Sequence, residues 1–532
     1  MSKKIPFAGL HAHSGLSLND GLGYPQDHID FALHNGSGAL ALTDHGHMNG
    51  LPYQVLHAKK LKANGDNFKP IFGVEAYFLP SLDLWREEYE KAKSEKKIKK
   101  DDISLSIEDE KASKQKITSI LKKRNHLILL AQNQTGLNNI FKLISESYKD
   151  ENFYRYPRID YNLLSNYSSG IIASSACLGG VYAGDYWDNR DSGELAGEST
   201  LNAMRETTRR MQAVFGDRWY GELQWNNIPE QHELNKYIIQ VCREFDVKLI
   251  STADSHYPNP DAWKDRELYK RIGWLGKGGL PEYMSEELPS GVKEIGYELY
   301  PKNGSQMWES YQSYSELLKT NYDDDLVMES IKRTDYIAND LIEDFLPDNE
   351  VRLPKFVVPA GKTDIQTLTE NCLVGLKNKQ LGDKPGYADR LKEELNVIKD
   401  RGFAKYFLTM EAIASKATSV QLAGPGRGSA AGSLVAYVLD ITQVDPIKYG
   451  LLFSRFLRKD AVDYPDIDYD VSDPMQLKEM LIDEWGSSTV VPISNYNTLQ
   501  LRSLVKDISK FYDIPFTEVN VVTGRMISEA TP

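Results

Sequence analysis

Cysteine is scarce in this chain of 532 residues: Cys177, Cys242 and Cys372 stand far apart and form no CxxC spacing. That excludes a disulfide framework and fits a reducing compartment, so a cytoplasmic location is expected. No apolar run approaches the length of a membrane span, so no membrane partner is expected. The opening MSKKIPFAGLHAH carries two lysines but neither a long apolar region nor a small-residue cleavage site, and no secretory signal is read there. An excess of positive charge is missing too: 63 Lys and Arg face 76 Asp and Glu, a formal net charge of −13. Binding to duplex nucleic acid is dominated by phosphate neutralisation, which argues against strong binding by the chain as a whole. A basic groove is a local property, however, and carboxylates that hold metal are cancelled by their cations. The glycine-rich stretch near residue 424 lacks both the Lys-Ser/Thr ending of a Walker loop and the spacing of a dinucleotide fold, which disfavours a generic ATPase or a dehydrogenase.

The chain is too long for one core, and its apolar fraction of 41% is ample for two or three domains. Residues 1–275 read as alternating strands and helices. The strand Ile5 to Leu10 ends in His11-Ala12-His13, with Asp20 soon after. Ala39 to Thr43 ends in Asp44-His45-Gly46-His47, Lys69 to Tyr77 carries Glu75, and NHLILLA opens with His126. GIIASSACLGG ends near Cys177, and KLISTADSHY in Asp254-Ser255-His256. Such positions gather at one rim of a barrel of βα units. Imidazoles, a thiolate and carboxylates together favour Zn²⁺ or Mn²⁺ (or Fe²⁺) over Mg²⁺ alone. His47, His57, Glu222 and His232 are set aside as supporting or surface residues. The charged stretch 84–124 reads as a solvated helical insertion with i,i+4 ion pairs rather than a basic arm.

Residues 276–335 read as a connector: Gly/Pro/Ser-rich loops, then a helix from Ser313 into the 330s. Further on, Gly424-Pro425-Gly426-Arg427-Gly428-Ser429 can cradle an anion with backbone N–H groups and the N-terminus of a buried helix over Ala430 to Leu439, and Arg427 adds a fork of donors. Tyr464 to Asp470 alternates carboxylate with apolar or aromatic residues, and a strand there puts Asp466 and Asp468 on one face, able to hold Mg²⁺. Arg455 lies between the two motifs on the apparent helix LLFSRFL. A phosphate cradle followed by a carboxylate pair is what metal-dependent nucleotidyl transfer requires.

The stretch 424–470 resembles the palm of the bacterial replicative DNA polymerases of family C. The resemblance implies a nucleotidyltransferase-like mixed α/β palm over 336–497, with Gly428 and Ser429 at the incoming deoxynucleoside triphosphate, Arg427 and Arg455 on its phosphates, and Asp466 and Asp468 as two of three catalytic carboxylates. Residues 1–275 resemble the polymerase and histidinol phosphatase (PHP) domain, a distorted seven-stranded barrel with a trinuclear metal centre. The ligands implied are His11, His13, Asp20, His45, Glu75, His126, Cys177, Asp254 and His256. A complete set implies a working phosphoesterase, most naturally a 3′–5′ exonuclease. Residues 498–532 resemble the start of a helical thumb, where Arg502, Lys506 and Lys510 would lie on the phosphates of primer-template DNA; family members usually have ITFGT where this chain has ISNYNT.

In the family the third carboxylate lies well beyond the point matching Pro532. The resemblance therefore implies either a fragment of a longer polymerase or the N-terminal product of a split one, with a complementing C-terminal polymerase chain expected besides proofreading and sliding-clamp subunits. The alternatives are a stand-alone PHP phosphoesterase or exonuclease with an incomplete palm, and a barrel that serves only to dock a proofreading subunit.

Overall fold

The computed structural model describes residues 5–101, 107–190, 193, 196–274, 298–348, 350–354, 356–491, 493 and 500–526. Their contacts divide the chain into two units, one of residues 1–348 with 499–532 and one of residues 349–498.

Short apolar runs build the sheet of the first unit: β1 (Ala39–Leu42), β2 (Lys69–Phe78), β3 (Asn125–Ala131), β4 (Phe153–Tyr154), β5 (Tyr156–Ile159), β6 (Ile171–Ser174), β7 (Trp219–Gln224) and β8 (Lys248–Thr252). The order is β4-β5-β2-β3-β6-β7-β8, with β1 on the first half of β2. β3 runs antiparallel to both of its neighbours, whereas β6, β7 and β8 are parallel. The expected first strand is reduced to bridges: Gly9 pairs with Leu40, and Ala12 with Ser255. Those bridges close the ring, because Ala41 N donates to Gly9 O and His13 N to Ser255 O, each over 2.7 Å. The N-terminal segment, β1, β2, β3, β6, β7 and β8 therefore make a seven-membered barrel, and β4–β5 is a hairpin beside it.

Strand period places the side chains. Phe72, Val74, Leu127 and Leu129 face the helical layer with Leu137 and Ile140, while Ile71, Ile128, Leu130, Ile172, Tyr220 and Ile250 form a second cluster with Ile337, Ala338 and Ile342. Glu75, His126 and Glu222 share the parity of that second set, so each continues an apolar column upward to one rim.

Three expectations need correction here. A sixth strand of the ring, β7, went unread. The segment expected as a connector belongs to this unit: instead of one helix from Ser313 there are two, Gly304–Leu317 and Asp324–Tyr336, broken where Lys319 takes φ 51°. The second buries Val327 and Ile331 in the barrel's outer core. The loops over 276–296 and the segment 494–498 of ISNYNT lie outside the described residues. The insertion forms the helices Leu82–Asp101 and Ile107–Lys122, held together at Trp85, whose Nε1 donates to Ile120 O over 2.9 Å.

The second unit is mostly helical. Asp364–Asn378, Tyr387–Arg401 and Ala404–Thr418 pack around Leu368, Cys372, Phe407, Leu408, Leu434 and Val435. The expected mixed α/β palm shows no strand among its described residues. Tyr464 to Asp470 forms no strand, and the antiparallel bridge comes just past it, Ala423 with Val471; one neighbouring segment, 422–424, offers partners, and Pro465 has no N–H to give. The expected helix over 430–439 is a 3₁₀ turn, Gly428–Gly432, and a short helix, Leu434–Val438, reset at Ser433. LLFSRFL forms only the 3₁₀ turn Phe453–Arg455.

Candidate metal centre and the acidic loop of the second unit

At the barrel rim the N-terminal segment brings His11 and His13 together: their Nε2 atoms are 3.0 Å apart. His11 Nε2 also lies 2.9 Å from Glu75 Oε2 and 3.0 Å from Asp254 Oδ1. Glu75 Oε1 meets His45 Nδ1 at 2.8 Å and His126 Nδ1 at 2.6 Å. Asp20 Oδ2 reaches His45 at 3.2 Å and His256 at 3.5 Å, and Cys177 Sγ is 3.6 Å from His126 Nδ1. All nine residues expected as ligands therefore meet in one place.

They fall into three adjoining groups: His11, His13, Glu75 and Asp254; His45, Glu75 and His126; His13, His45 and His256. Within each group one ligand atom per residue lies within 4.8 Å of every other. Imidazole nitrogens and carboxylate oxygens aimed at a common centre are a donor set that fits divalent metal.

The electrostatics express the same crowding. Burial pushes the His11 imidazole down, but Asp254 and Glu222 more than reverse this and leave it well above its ordinary value. Burial would raise Glu75, yet His126, His45 and His13 hold it well below the usual carboxylate range; Asp254 behaves alike, through His11 and His256. His45, despite burial, is raised to about 10 by Glu75 and Asp20. Burial, with Asp254 and Glu75, pushes the Cys177 thiol well up. Ala176 and Asp254 both take left-handed backbone, at φ 60° and 49°, a conformation that aspartate tolerates and alanine rarely adopts.

Of the residues set aside, Glu222 belongs to the site. It is fully buried and accepts hydrogen bonds from His11 Nδ1 (2.6 Å), Ser174 Oγ (2.6 Å) and Thr252 Oγ1 (2.5 Å). His47 bonds the Leu16 carbonyl, His57 pairs with Asp30, and His232 lies between the Asn226 carbonyl and Tyr322. Sequence reasoning missed Arg266, whose Nε donates to Asp20 O over 2.8 Å and whose Nη2 reaches Asp20 Oδ1 over 2.5 Å. It also missed Asp44, which takes hydrogen bonds from Ser14 and Ser17 beneath His13. An acidic residue inside the apolar run WYGELQ was the available signal for Glu222; nothing local marks Arg266.

In the second unit the glycine loop and the acidic run face each other. Gly424 N donates to Asp470 O over 2.8 Å, and Arg427 Nη1 is 3.4 Å from Asp470 Oδ1. Gly428 has φ 66°, and a Cβ there would stand 2.2 Å from Asp468 Oδ2. Asp466 is exposed, near Tyr406, and Arg455 is exposed. Arg427 thus meets Asp470, two residues beyond the expected pair.

The expected cradle also needs a correction. Buried Glu394 occupies the N-terminus of Leu434–Val438, accepting from Ser433 Oγ (2.9 Å), Leu434 N (2.9 Å) and Val435 N (3.0 Å). Arg390 holds it at 2.6 Å and donates to the Gly432 carbonyl. The end of this helix is therefore filled by an internal carboxylate, which leaves the loop amides and the arginines as the anion donors. Arg502, Lys506 and Lys510 recur every four residues along Leu501–Phe511. Each already has a local contact: the Met526 carbonyl, the Phe516 ring and Asp507 respectively.

A closed barrel with this ligand set at one rim defines a metal-binding domain of the PHP class, and residues 9–226 match the PHP domain family. Residues 366–531 match the family described as the bacterial DNA polymerase III alpha NTPase domain. The chain is 35% identical over 524 residues to the DNA polymerase III subunit alpha of Aquifex aeolicus, covering 96% of this chain and 40% of that protein. The corresponding protein of Borreliella burgdorferi is 32% identical (98% and 40%), and that of Thermus aquaticus 29% (97% and 42%). The chain is similar over nearly its whole length to bacterial DNA polymerase III alpha subunits, and it spans about 40% of the length of these relatives. A solved amidohydrolase from Chromobacterium violaceum is similar at 16% identity over 49% of this chain and 96% of its own, with a TM-score of 0.25.

Proposed function

We propose that the chain serves DNA replication as a DNA-directed DNA polymerase of the alpha-subunit type, with nucleotidyl transfer in its second unit and phosphodiester hydrolysis in its barrel. The observation that carries the first half is the apposition of Gly428 with Asp468 and of Arg427 with Asp470. Asp466 and Asp468 would hold Mg²⁺, whose charge stabilises the attacking and leaving oxygens of the transfer. The amides of Gly428 and Ser429, with Arg427 and Arg455, would take the phosphates of a deoxynucleoside triphosphate. Glycine at 428 lets the carboxylate and the phosphates approach the same backbone. On this reading the palm is the second unit, 349–498, rather than starting at 336, because Ile337, Ala338 and Ile342 pack under the barrel; residues 499–532 open a thumb, whose Arg502, Lys506 and Lys510 lie on primer-template DNA. Proofreading and sliding-clamp subunits are the fitting partners, and the cytoplasm the fitting location.

The barrel reading rests on its three adjoining donor groups. His11, His13, Asp20, His45, Glu75, His126, Cys177, Asp254 and His256 would hold Zn²⁺ or Mn²⁺, which supplies Lewis-acid activation of a phosphodiester. Glu222 and Asp254 fix the imidazole of His11, and Arg266 holds the Asp20 loop against the centre. The substrate is the 3′ end of a DNA strand.

Calorimetric titration with dATP and Mg²⁺ tests the transfer site. Saturable binding is expected, lost in Asp466→Asn and Asp468→Asn but kept in His13→Ala. Binding indifferent to both aspartates would sink the reading. Release of nucleotides from a 3′-labelled strand with Mn²⁺, lost in His13→Ala and Asp254→Ala but kept in Asp468→Asn, tests the barrel.

A further inference from the structure

The hairpin β4–β5 stands at the open side of the metal centre. Most ligands there are closed off; the side chains that keep accessible surface include Asp20 (35%), His126 (18%) and His45 (14%). Both of these histidines border Tyr77: the ring centroids are 6.1 Å apart for His45, nearly parallel, and 5.5 Å for His126. In the sheet Tyr77 pairs with His126 on one side and with Arg158 of β5 on the other, so β2 ties the hairpin directly to the centre.

From Tyr77 a line of rings and guanidinium groups runs outward. The Tyr156 ring lies 5.1 Å from that of Tyr77, and the Arg124 guanidinium sits 3.9 Å above Tyr156 and 5.6 Å from Tyr77. Arg124 Nε is buried and makes no hydrogen bond among the described residues. Across the hairpin Tyr154 pairs with Tyr156, and the one-residue turn between them holds Arg155 at φ 58°, its guanidinium 5.7 Å from the Tyr154 ring. Phe153 and Tyr154 remain 40% and 39% exposed. Exposed rings interleaved with cations on one hairpin make a patch of the kind that marks a binding surface.

We infer that this hairpin is a binding track for single-stranded nucleic acid, leading a strand's 3′ end into the metal centre. Aromatic faces stack bases of any sequence, and interleaved arginines meet both the backbone charge and the π faces. A duplex hides its base faces, whereas a single strand can splay them onto Tyr154 and onto the Arg124 guanidinium that covers Tyr156, while its terminal phosphodiester reaches past Tyr77 toward His45 and His126. The inference rests on the phosphoesterase reading of the barrel and adds that the strand is single and the path it takes.

The test uses the whole chain with chelator present, so that nothing is hydrolysed, and follows the fluorescence anisotropy of a labelled oligothymidylate and of a duplex of equal length. Single-strand binding tighter than duplex binding is expected, weakened about five-fold to a hundred-fold by Tyr156→Ala and by Arg124→Ala, and kept by Tyr156→Phe, which retains the ring. Tyr336→Ala, near the opposite rim, should leave it unchanged. Equal affinity for both probes, or alanine variants that bind like the parent, would overturn the track. Mn²⁺-dependent cleavage of the p-nitrophenyl ester of thymidine monophosphate, which is too small to need the hairpin, separates the two readings. Hairpin variants that keep this activity while losing oligonucleotide cleavage support the track, and a parent chain inert on the ester overturns the phosphoesterase reading on which it rests.

Discussion

Glu222 Oε1 accepts a 2.6 Å hydrogen bond from His11 Nδ1, with both side chains fully buried. The bond fixes the tautomer and the ring plane, so His11 Nε2 is turned to Glu75, His13 and Asp254. Carboxylate–imidazole pairs of this kind raise the basicity of a ligand and hold it in place. Glu222→Gln keeps the volume but weakens the bond, and a ten- to hundred-fold loss of Zn²⁺ or Mn²⁺ affinity is expected in a competition titration with a chromogenic chelator. Unchanged affinity would make Glu222 a packing residue only.

Metal should stabilise the barrel, because buried Glu75, Asp254 and Asp20 converge there. At a hundred times its dissociation constant, Mn²⁺ is expected to add about 2.7 kcal/mol, read as a higher urea midpoint than with chelator. The gain should vanish in His11→Ala combined with Asp254→Asn. A midpoint indifferent to metal in the parent chain would contradict the donor-set argument.

Gly428→Ala places a methyl group 2.2 Å from Asp468 Oδ2 and asks alanine to take φ 66°. A non-glycine residue held in this region costs on the order of 1–3 kcal/mol, and the carboxylate must move. Loss of Mg²⁺-dependent dATP binding is expected, with Mn²⁺ binding by the barrel unaltered. Normal dATP affinity in this variant would show that the contact of Gly428 with Asp468 plays no part in nucleotide binding.

His28, which is not itself a ligand, supplies a pH test. It is buried, with Nε2 donating to the Leu22 carbonyl over 2.8 Å, and burial lowers it from 6.5 to about 4. Because the fold prefers the neutral ring, its contribution is whole above pH 6.5 and is lost as the pH falls toward 4. The shift corresponds to roughly 3 kcal/mol. Unfolding free energies of parent and His28→Gln should converge over that window; parallel curves would refute the assignment.

How far the sequence was legible depended on the kind of information each feature carries. His11, His13, His45, His126 and Asp254 stood out because each lies at the edge of an apolar strand, and Glu75 as the lone acid inside one. Glu222 was named only as a supporting or surface residue, since, like Glu75, it lies in a run of buried strand residues, and only the fold shows that it supports His11. Glu394 sits in the same stripe as Leu391 and Ile398 on Tyr387–Arg401, where it reads as an ordinary helix glutamate. Its partners, Ser433, Leu434 and Val435, belong to another element. The acidic run was expected to pair as a strand, but strand pairing needs a neighbour, and only the fold supplies one.

The sequence by itself determined the chemistry available: which side chains can ligate metal, which loop can bend around an anion, and where apolar period makes strands. Those properties belong to single residues and short spacings. Only the tertiary structure decided which groups meet, since His11 and Glu222 are 211 residues apart and Asp468 reaches Gly428 through a loop reversal. It decided too that Glu394, not a ligand, fills the helix end at Leu434. Such contacts depend on closing the barrel and folding back the loop, and no local pattern encodes either.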